Sequence, residues 1–211
     1  LYVSLEPCCI HGNTPPCTDL IIREGIPQVV IGSLDRTPGV NGQGVKRLRE
    51  AGVEVTVVEA YSDQENPAFI RNHFVRLKRP YIVLKFARSR DGYLGRHRRQ
   101  VWLSHPLTRR LVHKWRAETD AIMVGTQTAL VDNPSLTTRY FYGKDPVRVA
   151  PDRRLRLPPE LKLFEGPAAT WIFTQAGAPP EAHGANVRYF EIPDSLEALV
   201  KVLYEEKISQ L

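Results

Sequence analysis

Long apolar runs are missing from these 211 residues. No stretch approaches the roughly 18 residues of a membrane-spanning helix, so no such helix is expected. Cysteine is scarce, with three in all, Cys8, Cys9 and Cys17. A cluster that small and that early makes no disulfide framework; it suits a metal site in a reducing, cytoplasmic setting. No G-x-G-x-x-G occurs, which argues against a Rossmann dinucleotide domain. No His-x-Glu pair occurs either, so the chain lacks the local sign of a catalytic carboxylate beside a metal-bound histidine. There is no visible signal peptide, no internal repeat and no low-complexity tract. No obvious stripe of aromatics offers itself for stacking nucleic-acid bases.

What remains is an ordinary globular composition, 42% apolar and 25% charged. The formal charge of +6 favours anionic partners. A phosphorylated substrate or a nucleotide serves as well as nucleic acid. The first cysteines sit in Leu5-Glu6-Pro7-Cys8-Cys9-Ile10-His11-Gly12-Asn13-Thr14-Pro15-Pro16-Cys17. Two thiolates joined by a tight Pro- and Gly-rich loop can grip one zinc ion. Cys17 opens a predicted helix, where the helix dipole is expected to lower a thiol pKa.

The pattern along the chain predicts strands at 1–5, 29–32 and 53–58, with helices at 18–24 and 44–51 between them. Strand and helix alternate, the sign of a mostly parallel sheet. A connecting helix is expected over 61–77 and a domain boundary at about 79. The pattern then restarts. Tyr81 to Phe86 reads as a strand buried on both faces. A helix follows from Ser104 as N-cap, with Pro106 in its first turn, to about Ala117. Strands are expected at 121–125, 146–150, 170–174, 187–191 and 208–211, and helices at 126–130 and 194–206.

Pro7-Cys8 resembles the Pro-Cys element of zinc deaminases, whose signature is H-x-E followed by P-C-x-x-C. Here the second cysteine comes nine positions later. Leu5-Glu6-Pro7-Cys8, Gly12, Thr14-Pro15-Pro16-Cys17 and Thr18-Asp19 together resemble the zinc loop of the bifunctional riboflavin-biosynthesis deaminase–reductases. The second half resembles the same family independently, in Arg79-Pro80-Tyr81-Ile82, Lys85, Ser89-Arg90-Asp91-Gly92, Trp102-Leu103-Ser104 and Arg116-Ala117. Asp120 to Gly125, Thr128, Asp132-Asn133-Pro134, Leu136, Arg139, Val147-Arg148-Val149 and Asp152 continue it.

The resemblance implies an α/β protein. A truncated cytidine-deaminase-like α/β/α domain (residues 1–79) precedes a dihydrofolate-reductase-like α/β domain (residues 80–211). It implies zinc-dependent deamination of a diaminopyrimidinone ribosylamino phosphate and NADPH-dependent reduction of the ribosyl group to ribityl. Cys8 and Cys17 are then zinc ligands. The third ligand and the catalytic glutamate are expected upstream, so this chain should be inactive as a deaminase and bind zinc poorly. Ala87, Trp102, Ser104, Thr128 and Asp132 fall at cofactor-contacting positions. Arg116, Leu136 and Arg139 fall at substrate-contacting positions, where the planar guanidinium suits bidentate phosphate recognition. A homodimer through the second domain is also implied.

Taken singly, these residues have plainer readings. Cys8 and Cys17 could be small buried hydrophobes, Arg116 a cation at a helix C-terminus, Trp102 a core residue, and Asp132 a turn residue. Cys9 is read as a bystander and His11 as a loop histidine; Asn13 and Thr14 shape the loop. Arg88, Arg90, Arg96, His97, Arg98 and Arg99 form a basic cluster that depart from the family pattern. It is a solvated loop, a seat for a cofactor 2′-phosphate, or a nucleic-acid contact. Gln100 and Arg153 stand where the family has small polar residues, and Pro151 interrupts an expected strand end. The chain stops where the family continues into a Glu-Gly-Gly segment, so a piece lacking both ends is expected. The other function classes considered are a nucleic-acid-editing deaminase and a non-catalytic zinc-binding scaffold.

Overall fold

The structure is a computed structural model and describes residues 1–58, 66, 68–94, 103–177 and 184–211. It forms two compact units, Leu1–Tyr81 and Ile82–Leu211.

The first unit is built on three parallel strands, β1 (Tyr2–Val3), β2 (Gln28–Ile31) and β3 (Glu54–Val57), in that order. Its helices are α1 (Cys17–Arg23), α2 (Gln43–Glu50) and α3 (Phe69–Leu77). Alternate residues of a strand face one way. Val29 and Ile31 therefore join Val55 against Ile21 of α1 and Val45 and Leu48 of α2. An Arg47–Asp19 ion pair of 2.6 Å ties α2 to α1. The connecting helix begins later than expected, at Phe69 with Ala68 before it. The rest of its expected start, residues 61–65 and 67, lies outside the described residues.

Glu6 organises the loops of this unit. Its buried carboxylate accepts the backbone N–H of Asp35 (3.2 Å), Gly42 (2.9 Å), Gly44 (2.9 Å) and Val45 (3.2 Å). The last two belong to the first turn of α2, whose free amides favour an anion. Gly44 permits the approach, because a Cβ there would lie 2.1 Å from the Pro7 carbonyl oxygen.

The second unit is a four-stranded parallel sheet in sequence order, β4 (Ala121–Met123), β5 (Val147–Pro151), β6 (Thr170–Thr174) and β7 (Val187–Glu191). Its helices are α4 (Pro106–Glu118), α5 (Thr126–Asp132) and α6 (Leu196–Glu205). All five residues of β6 are buried, as expected of a strand covered on both faces. Trp171 and Phe173 pack with Leu199 and Leu203 of α6, while Ile172 packs with Ala129, Leu136 and Leu163 on the opposite face. Arg148 is fully buried and has no ion pair with a carboxylate among the described residues. Its guanidinium donates to the carbonyls of Lys162 (3.3 Å), Glu165 (2.8 Å) and Ala168, which fixes that loop.

Several expectations need correction. Residues 82–86 form no strand. Val83 donates to the Leu211 carbonyl at 2.8 Å, yet Leu84 and Phe86 stay exposed at 83% and 68%. An apolar run becomes a strand only where a neighbour takes its backbone groups, and none does so along 84–86 among the described residues. Residues 208–211 likewise make isolated pairings and no strand. The N-cap of α4 is His105, whose Nδ1 accepts the Leu107 N–H at 3.2 Å; Ser104 lies one residue outside. Pro151 does not interrupt β5 but is its last residue, paired with Phe173.

Candidate active site

In the first unit the cysteine loop closes on itself. The Cys17 N–H donates to Cys8 Sγ at 3.3 Å, and Thr18 donates to the Cys8 carbonyl from both its N–H and its hydroxyl, each at 3.2 Å. Cys8 and Cys17 therefore meet, as a shared metal site would require. The Cys17 thiol is nevertheless pushed above its ordinary value, first by hydrogen bonding with Cys8, then by burial. The direction is opposite to the lowering expected at a helix N-terminus, although backbone hydrogen bonds at Cys8 and Cys17 act to lower it. Cys9 turns away and its Sγ–H reaches the Gly39 carbonyl at 3.5 Å, consistent with a bystander. His11, Asn13 and Thr14 are exposed. Among the described residues, no group of three or more His, Cys, Asp or Glu is gathered as a metal would need. Two sulfurs alone do not make up the three or four protein ligands of a zinc site.

The second unit holds a cleft of about 670 Å³. One wall is apolar, from Ile122, Met123, Val124 and Val131. Ala87, Ser104, Arg116, Thr128, Asp132 and Leu136 line the same cleft. These are six of the eight positions singled out for this half by resemblance, brought from five separate stretches of chain. Trp102 lies outside the described residues, as do Arg96, His97, Arg98, Arg99 and Gln100. Arg139 does not line the cleft; its guanidinium donates to the Thr137 hydroxyl at 3.1 Å and to the Ser135 hydroxyl.

Local structure explains the convergence. Thr128 and Asp132 are one helical turn apart on α5 and face one side. The Thr126 hydroxyl anchors the start of that helix to the Pro151 carbonyl at 2.5 Å. Asn133 ends it in the left-handed region (φ 41°), and its Oδ1 accepts the Lys162 N–H at 2.8 Å. Leu136 is also left-handed (φ 55°) and only 3% exposed. A leucine seldom adopts that conformation, and backbone held there gathers at functional sites.

Lys85, Arg116 and Asp132 are the charged residues among the described lining of the cleft. Arg116 Nη1 donates to the Thr137 carbonyl at 3.1 Å, while Nε is buried without a hydrogen-bond partner among the described residues. Burial first, and the Arg139 cation second, lower the guanidinium's pKa. Neither arginine is ion-paired with a carboxylate among the described residues. Arg116 with Arg139 nearby, and Lys85 beside Asp132 in the lining, leave a net positive balance suited to an anion.

His113 is a residue that motif reading missed. It is 4% exposed on α4 and its Nδ1 accepts the Arg139 N–H at 2.8 Å. Burial, with Arg116 and Arg139 nearby, lowers its pKa to about 4. The signal available in the sequence was its spacing, one helical turn before Arg116.

An α/β fold of parallel sheets with this cleft between α4, α5 and the first strand of its sheet defines the class. The RibD C-terminal domain family model matches residues 80–211, and the chain belongs to that family. The riboflavin biosynthesis protein RibD of Actinobacillus pleuropneumoniae is 43% identical over 167 residues, covering 78% of this chain and 44% of that protein. The RibD of Aquifex aeolicus is 40% identical over 176 residues, covering 82% and 49%. The crystal structure of a diaminohydroxyphosphoribosylaminopyrimidine deaminase/5-amino-6-(5-phosphoribosylamino)uracil reductase from Thermotoga maritima superposes with a TM-score of 0.86 at 38% identity, covering 99% of this chain and 59% of that one. An Acinetobacter baumannii RibD structure gives a TM-score of 0.86 at 31% identity, covering 99% and 60%. The chain thus spans about half the length of the curated relatives it matches. No helix among the described residues is long and apolar enough to cross a membrane.

Proposed function

We propose that residues 80–211 are reductase machinery of riboflavin biosynthesis, reducing the ribosyl group of 5-amino-6-(5-phosphoribosylamino)uracil with NADPH. The observation that carries the reading is the cleft in which Ala87, Ser104, Thr128, Asp132, Arg116 and Leu136 meet. Its donor set fits a nucleotide, with hydroxyls from Ser104 and Thr128 beside an apolar wall. When bound, the reduced nicotinamide supplies the hydride. The protein's own part is to bind, orient and exclude water. Leu136 closes the cleft with a buried side chain. Arg116, whose Nε has no hydrogen-bond partner among the described residues, holds the ribose 5-phosphate through charge-assisted hydrogen bonds; Arg139 joins it by its place in the motif, its guanidinium turning from Ser135 and Thr137 to the phosphate. Thr128 and Asp132 face the cofactor side, as does Trp102 by its place in the motif.

Residues 1–79 are read as part of a zinc deaminase domain with a cytidine-deaminase-like fold. The support is the approach of Cys8 and Cys17, which supplies two thiolates of the expected set.

Equilibrium binding tests the phosphate assignment. The chain should bind the phosphoribosylaminouracil at least about tenfold more tightly than its dephosphorylated form, and Arg139→Ala should remove that preference. A preference unchanged in both Arg116→Ala and Arg139→Ala would overturn the reading.

A further inference from the structure

Between Asn133 and Asp145 the chain leaves α5, passes the cleft at Leu136 and returns toward β5. One face of α4 grips this loop at three points. Arg116 Nη1 donates to the Thr137 carbonyl at 3.1 Å. One turn earlier, His113 Nδ1 accepts the Arg139 N–H at 2.8 Å. One residue after Arg116, Ala117 receives the backbone at Gly143, where a Cβ would come within 2.5 Å of the Ala117 Cβ. The Tyr140 ring stands edge-on to His113 with centroids 4.8 Å apart. Positions 113, 116 and 117 share a helix face, so a single element sets the loop's position.

We propose that His113 is a positioning residue for the phosphate-binding arginine: its ring nitrogen Nδ1 holds the Arg139 backbone amide and so sets where that guanidinium sits relative to Arg116. The inference rests on the reading that Arg116 and Arg139 take the substrate phosphate. His113 touches neither substrate nor cofactor; it acts through Arg139. Its role requires an unprotonated Nδ1, with the ring hydrogen on Nε2, because the amide is itself a donor. A protonated ring would set two donors against each other.

The surroundings keep the ring in that state. From its own helix it faces Arg116; from the loop it faces Arg139 and, with the opposite effect, Asp145. The two cations and the burial together prevail over the carboxylate. Asp145 is occupied as well, since its Oδ1 accepts the Thr138 N–H at 2.6 Å. The imidazole is therefore an acceptor throughout the neutral range, although two arginines flank it.

Two substitutions separate this role from packing. In His113→Asn, the side-chain oxygen can stand near the place of Nδ1 and still accept. In His113→Phe, the volume is kept and the acceptor is lost. Binding of the phosphoribosylaminouracil and its dephosphorylated form to the full chain would be measured for both, beside Arg139→Ala. The expected result is that His113→Phe loses about tenfold of the phosphate preference, while His113→Asn stays within about threefold of the wild type. Full preference in His113→Phe, with Arg139→Ala defective, would overturn the positioning role and leave the phosphate reading standing. Equal defects in His113→Asn and His113→Phe would assign the effect to ring shape and overturn it too. Full preference in Arg139→Ala would remove the reading itself. Imidazole nitrogen NMR of the wild type decides independently of any variant. Unprotonated Nδ1 at neutral pH is expected, and a proton on Nδ1 would overturn the proposal.

Discussion

In the first unit a single buried carboxylate, Glu6, gathers four backbone amides around the cysteine loop, whereas in the second the loop bearing Leu136 and Arg139 hangs from two side chains of α4. The first arrangement is dense and joins loops 29 to 39 residues apart in sequence. The second is sparse, and one of its two polar holds is an imidazole. Both loops are thus held in place, but by means of different strength and different response to acid. The difference suits the tasks proposed for them. Two cysteines must be presented at a fixed separation, whereas a phosphate-binding loop must admit its ligand.

Removing Glu6 should break the comparison most severely. Glu6→Ala leaves four amides without their acceptor in a buried setting, and loss of about 3–5 kcal/mol of stability is expected in the first unit. Denaturant unfolding followed by hydrogen exchange, unit by unit, would measure it. A loss below about 1 kcal/mol would mean that Glu6 does not organise those loops.

Acid should weaken the second hold. The pKa of His113 is about 4 in the folded chain against an ordinary 6.5. As pH falls through that interval the unfolded chain takes up the proton first. The contribution is therefore complete above about 6.5 and is lost toward about 4, on the order of 3 kcal/mol. His73 in the first unit is lowered too, so the slope has the same sign there. Asp35 and Asp120 are held below their ordinary 3.8 and lose their contributions only in stronger acid. Comparing wild type with His113→Asn between pH 7 and 4.5 isolates the one ring. Identical slopes would show that His113 does not titrate as described.

A smaller effect sharpens the picture of the first unit. Gly44→Ala places a Cβ 2.1 Å from the Pro7 carbonyl, a backbone atom that cannot swing aside. Overpacking of this kind costs about 1–3 kcal/mol. Thermal unfolding would record it, and an unchanged midpoint would mean that the Pro7 segment yields freely.

Most elements were legible in the sequence because their signals are local. The β-branched run Val29-Val30-Ile31 marks β2, and the strand–helix alternation places α2 and α6 near residues 44–51 and 194–206. Elements that depend on a distant partner were not legible. Tyr81 to Phe86 carries a strand's composition, but pairing is settled elsewhere: Val83 reaches the Leu211 carbonyl, and residues 84–86 find no backbone partner among the described residues. The site divides in the same way. Resemblance picked out Thr128, Asp132, Arg116 and Leu136, which share one cleft. It could not pick out His113, whose meaning lies in an amide 26 residues away. Nor could it foresee that Arg139 turns its guanidinium to Thr137. Ser104 as N-cap followed residue statistics, and the ring nitrogen of His105 took the role.

Amide NMR of the chain titrated with NADPH tests the central assignment most directly. The backbone signals of Ser104, Thr128 and Asp132 should move together with one saturation curve, while those of Cys8 and Cys17 stay still. Movement confined to the cysteine loop, or silence at all three cleft positions under saturating cofactor, would contradict the placement of the cofactor site in the second unit.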